Sequence, residues 1–101
     1  MLAFENRVVV PPHVLVRHLD GESVLLNLET EKYFGLDATG TRMWDLVTAS
    51  ANIDAAYTQL LEEFEVEPQT LRGDLNDLMD RLIEHGLLQV VPRDVGSTAA
   101  V

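Results

Sequence analysis

At Asp37 the apolar residues of this chain change their spacing, and no other feature of the sequence limits the fold as tightly. Upstream, they recur with the period of two that belongs to a β-strand. Val14-Leu15-Val16-Arg17-His18-Leu19 is β-branched and partly alternating, and Asp20-Gly21 is a two-residue hairpin turn. Glu22 to Leu28 resumes the strand texture, with Val24, Leu26 and Leu28 on one face. After the polar break Glu29-Thr30-Glu31, a third short run, Lys32-Tyr33-Phe34-Gly35-Leu36, sets Phe34 and Leu36 on one side and Tyr33 and Gly35 on the other. Together they predict a three-stranded antiparallel meander.

Downstream the period becomes that of a helix. Asp37 is a good N-cap, and Met43, Trp44 and Val47 recur at helical spacing to about Ala49. Trp44 is expected to pack this helix on the sheet beside Met43 or Val47. Asn52 caps a second helix whose stripe is Ile53, Ala56, Tyr57, Leu60, Leu61 and Phe64. Pro68 sits at the first position of a third, carrying Leu71, Leu75, Leu78, Met79, Leu82 and Ile83 until Gly86 ends it. Leu87 to Val91 either returns as a short strand or simply packs. Strands followed by helices make an α+β domain, three-stranded sheet then three helices, with a winged helix-turn-helix-like order. Residues 1–12, with β-prone Arg7-Val8-Val9-Val10 and the stiff Pro11-Pro12, read as an N-terminal arm; 13–91 form the domain; 92–101, rich in small and polar residues, read as a flexible tail.

Composition narrows the function classes. A chain of 101 residues supplies one domain, and 47% hydrophobic content suits a globular core. With no cysteine there are no thiolate nucleophiles, zinc ribbons or disulfides, which fits a cytoplasmic protein. No signal sequence or membrane-length apolar run occurs. A net charge of −10 repels phosphate backbones and anionic lipid, so neither nucleic acid nor membrane is expected as a partner. The third helix repeats the point: between Glu67 and His85 it bears Glu67, Asp74, Asp77, Asp80 and Glu84 against Arg72 and Arg81.

Catalytic, metal and cofactor sites have no support. His13, His18 and His85 are scattered, with no helical i, i+4 pair; His85 reads as a cation near a helix C-terminus. The isolated glycines form no phosphate-cradling loop. Asp74, Asp77, Asp80 and Glu84 read as a solvated helix face with Arg81 among them, Asp74 being the one placed to contact a ligand. Surface recognition is what remains. A short meander leaves an unpaired strand edge, and an added peptide strand can use it. Tyr33 and Phe34 would supply aromatic walls, and Leu75, Leu78 and Met79 a groove floor; the same five residues fit an ordinary core. Gly35 would let another backbone approach if its N–H faces the open edge, and would hold the sheet if it faces inward.

The run Leu26-Asn27-Leu28 through Lys32-Tyr33-Phe34-Gly35-Leu36, Thr39-Gly40 and Met43-Trp44, followed by Phe64-Glu65-Val66, Asp74-Leu75, Leu78 to Leu82 and Gly86-Leu87-Leu88, resembles the PqqD-like family of RiPP recognition elements. The likeness spans about Val14 to Val91; Asp37 stands where the family often has asparagine, and both cap helices. The resemblance implies a winged-helix-like adaptor that binds the leader of a ribosomally made precursor peptide, without catalysis of its own, and presents it to a leader peptidase or other modifying enzyme. It implies strand contacts at Lys32, Tyr33, Phe34, Gly35 and Leu36, and helix contacts at Leu71, Asp74, Leu75, Leu78 and Met79. With no enzyme fused to it, the chain is more similar to the discrete adaptors of lasso-peptide clusters. Alternatives are an adaptor in pyrroloquinoline quinone synthesis, an acidic winged-helix regulator and, least supported, a small-molecule enzyme subunit.

Overall fold

The structure, a computed structural model, describes residues 3–91. Three strands form the expected meander: β2 (Val14–Leu19), β3 (Glu22–Asn27) and β4 (Lys32–Leu36), ordered β2-β3-β4. Ahead of them lies β1 (Arg7–Val9), and after them come α1 (Ala38–Ala49), α2 (Ile53–Glu63), α3 (Pro68–Glu84) and β5 (Gln89–Val91). Capping follows the sequence. Asp37 accepts from the Gly40 N–H at 2.8 Å and Asn52 from the Ala55 N–H at 2.7 Å, while Pro68 opens α3.

Two features go beyond what the sequence pattern states. From residue 3 onward the N-terminal arm is built into the domain rather than only leading into it, since β1 pairs antiparallel with β5 and Phe4 and Val8 are buried in the core. Their backbone also caps α2: the N–H of Ile53 donates to Asn6 and that of Asp54 to Phe4. Arg72 lies 4.0 Å over the Phe4 ring, closing this end against α3. The pairing is long-range, and a β-prone run cannot announce a partner some eighty residues away. The proposed tail lies outside the described residues.

The second feature is which face of the sheet the helices cover, on which the strand pattern makes no choice. Ser23, Leu25 and Asn27 are buried, whereas Val24 and Leu26 are half-buried and Leu28 is exposed. Both faces of β3 carry apolar residues, so alternation alone could not choose between them. The polar pair on the inner face is satisfied. Ser23 and Thr41 share a hydroxyl hydrogen bond of 2.7 Å, and Asn27 donates to the His85 carbonyl at 3.0 Å while accepting from the N–H groups of Glu29 and Thr30. Trp44, Val47 and Met43 are buried with Leu25 and Leu36 in the core between sheet and helices. On the surface, Arg42 grips Glu63 through two bonds of 2.6 and 2.7 Å, tying α1 to α2 and holding the Glu63 carboxyl below its usual range.

Candidate peptide-binding groove

Which groups of β4 face outward follows from the turn that starts the sheet. Asp20 and Gly21 have φ of 52° and 83°, both positive, the signature of a type I′ hairpin. In such a hairpin the flanking residues, Leu19 and Glu22, exchange both backbone hydrogen bonds, and alternate pairs repeat the exchange. Val24 and Leu26 therefore address β2; the Leu28 N–H, which donates to His13 at 2.8 Å, continues the same parity. Ser23, Leu25 and Asn27 then address β4, through their partners Leu36, Phe34 and Lys32. What is left over on β4 is Tyr33 and Gly35. Their N–H and C=O groups point to the open edge.

Beside that edge runs α3, and between them is a cavity of about 460 Å³, where Phe34, Leu36, Met43 and Leu78 meet Asp74, Asp77 and Arg81. A larger cleft of about 920 Å³ adjoins it at Phe34 and extends past Lys32 and Tyr33 toward Ile83, His85 and Leu88. Phe34 stands where the two meet. The His85 ring packs edge-on at 5.4 Å and the Arg81 guanidinium lies 5.7 Å from the ring, so the aromatic wall is fixed from the helix side. The far end of β4 is fixed by Asn27, whose amide joins the turn before β4 to the C-terminus of α3.

The sequence-derived contacts divide into two groups. Lys32, Tyr33, Phe34, Gly35, Leu36, Asp74 and Leu78 all line one of these cavities, but the Tyr33 side chain lies in the row with Leu26 on the sheet face away from the helices, so of the two expected aromatic walls Phe34 alone faces α3. Leu71, Leu75 and Met79 do not: they are buried in the core, Leu75 with 0% exposure, and have no surface to offer a peptide. The reason is the width of the apolar stripe on α3. Its centre, Leu71, Leu75, Met79 and Leu82, faces the core, and only the flank carrying Asp74, Leu78 and Arg81 at i, i+4, i+7 borders the groove. Asp77 and Arg81, assigned to a solvated face, border it too, and that same spacing was the available signal. Met43, Asp37 and Gly40 of the α1 end were also missed. Among the described residues no three His, Asp or Glu side chains gather as a metal site, and no helix is long and apolar enough to cross a membrane.

Residues 22–88 match the family model described as Coenzyme PQQ synthesis protein D, PqqD. The chain belongs to the PqqD family. The matched segment runs from the start of β3 to the threshold of β5, so it contains the whole of the edge and the helix that face each other across the groove. Among solved structures, this PqqD family member is similar to TbiB1 in complex with the TbiA(beta) leader peptide, with 35% identity, 79% of this chain and 93% of that chain covered, and a TM-score of 0.74. Its fold is also that of lasso peptide synthetase B1 complexed with the leader peptide, at 23% identity and a TM-score of 0.74, covering 82% of this chain and 98% of that one. No curated protein matches the sequence.

Proposed function

We propose that this chain binds the leader segment of a ribosomally made precursor peptide as an added strand on β4, and delivers it to a leader peptidase or other modifying enzyme in the manner of a lasso-peptide adaptor. It contributes recognition and no catalysis of its own. The observation that carries this reading is the pair of outward-facing backbone units at Tyr33 and Gly35, set directly beside the Phe34–Leu78 groove. The likeness to TbiB1, a protein solved with a leader peptide, supports it.

The chemistry is backbone pairing plus side-chain burial. An antiparallel strand would exchange about four hydrogen bonds with the two edge residues, each worth roughly 0.5–1.5 kcal/mol net. Its alternate side chains would point into the groove, where Phe34, Leu36 and Leu78 offer apolar contact and Asp74 a polar rim. Gly35 suits this role, because a Cβ there would meet nothing of the chain's own fold within 4 Å; the fold itself does not require a glycine at that position. A leader disordered when free spends part of this energy on ordering, leaving a dissociation constant between about 10 nM and 10 µM. Calorimetric titration with the leader of the precursor encoded alongside the chain tests this, and no binding with both partners intact would refute it. The family description keeps an adaptor of pyrroloquinoline quinone synthesis as the second reading; tighter binding of that pathway's precursor in the same titration would favour it.

A further inference from the structure

The helices cover one face of the β2-β3-β4 sheet, and among the described residues no element covers the other, which is largely apolar. Single uncovered faces of antiparallel sheets are ordinarily polar. Here Leu15, Leu26 and Tyr33 form one cross-strand row, Arg17, Val24 and Gly35 the next, and Leu19 pairs with Glu22 at the turn. Leu19 is 61% exposed, Tyr33 77% and Leu15 46%. Among the described residues, neither Leu15 nor Leu19 belongs to the core or packs against it.

We propose that this face docks the enzyme that acts on the leader-bound precursor, an inference that rests on the leader reading above. Its first support is continuity. Tyr33 and Gly35 turn their backbone groups to the open edge and their side-chain positions to this face, so a strand added to β4 would extend the face by one strand. Whatever sits on the face then touches the leader as well. The second support is size. Three strands about 4.8 Å apart and five residues long at about 3.4 Å each give a footprint of about 240 Å², against roughly 800 Å² per partner in a stable complex. Alone it is too small to hold a second copy, and a charge of −10 on each copy opposes that pairing. An added leader strand widens the footprint only to about 330 Å², and an enzyme makes up the remainder by also holding the precursor's reacting segment, a contact that a second copy lacks. The expected partner surface is apolar, with a carboxylate for Arg17, which lies between Leu15 and Leu19 on the same face. It follows that the enzyme prefers the leader-loaded adaptor, and by linkage tightens the leader's own binding.

The test uses the full chain with the precursor and the modifying enzyme encoded alongside it. Leader affinity is measured by calorimetry and precursor conversion by mass spectrometry, for the wild type, a Leu15→Glu/Leu19→Glu double variant and Arg17→Glu. Both leucines are exposed, so native circular dichroism is expected throughout. The expected result is leader affinity within about twofold of wild type, with conversion reduced at least about tenfold in the double variant and several-fold in Arg17→Glu. Full conversion by the double variant would overturn the proposal. So would an equal fall in leader affinity, which would give the face to the leader, or a wild-type dimer that the double variant dissolves, which would give it to a second copy. A wild-type chain that fails to bind leader would be a different failure, that of the groove reading itself.

Discussion

Proline at two adjacent positions of β4 separates the edge from the ladder. The Phe34 N–H is spent on Leu25 of β3, and Leu25 is wholly buried, so Phe34→Pro removes that donor and leaves a buried carbonyl unpaired. That costs about 1–3 kcal/mol, and losing the half-buried ring from its contacts with His85 and Arg81 adds about 3–5 kcal/mol for an aromatic truncated toward a small side chain. A domain with about 5–15 kcal/mol in total would lose much of its stability. Gly35→Pro touches no ladder bond, because the Gly35 N–H faces the open edge, and it enters open space. Its effect on folding is expected to stay within about 1 kcal/mol. On leader binding it removes one donor and strands a peptide carbonyl, about 1–3 kcal/mol, and the ring obstructs close approach, so affinity should fall between about tenfold and more than a hundredfold. Thermal melts and calorimetry on both variants read this directly. A Gly35→Pro protein that unfolds, or one that is native and binds leader normally, would refute the assignment of the edge.

Other perturbations follow from the same packing. Trp44→Ala should cost about 3–5 kcal/mol and lower the melting temperature by well over ten degrees, since the ring is buried between α1 and the rest of the core; an unchanged melt would contradict its placement. Leu75→Asp, which would be a selective binding variant if Leu75 formed the groove floor, should instead unfold the domain by burying an unpaired charge, as seen by denaturant titration. Gly86→Ala should be destabilising twice over, because φ is +73° and the new Cβ would lie 2.9 Å from the Asn27 amide nitrogen; in an Asn27→Ala background the steric part should vanish, so the two substitutions should be measurably non-additive in denaturant melts.

The switch of period at Asp37 and the Asp20-Gly21 turn carried the meander and the three helices in order, because each is a local rule that the final packing obeys. What was not legible was non-local. The β1–β5 pairing joins runs far apart in the chain, and nothing in Arg7-Val8-Val9 names its partner. The inner face of β3 was hidden for a related reason: Ser23 and Asn27 look like surface residues until Thr41 and the α3 C-terminus supply their hydrogen bonds. On the candidate site, the open edge of β4 and the cavities along it were readable, since alternation and an unpaired strand suffice for those. The helix half was not, because a stripe that is apolar over more than one row does not say which row is core and which is flank; Leu75 and Leu78 differ by less than one turn, yet Leu75 is wholly enclosed while Leu78, 6% exposed, borders the cavity.

Amide hydrogen exchange at Tyr33 and Gly35, measured free and with leader bound, tests the central claim most directly. Both N–H groups face the open edge in the free chain, so they should exchange quickly while those of Phe34 and Leu36 are protected by β3. Saturation with leader should slow Tyr33 and Gly35 by at least about tenfold. Leader bound to saturation with both amides exchanging as fast as before would place the peptide elsewhere and contradict strand addition on β4.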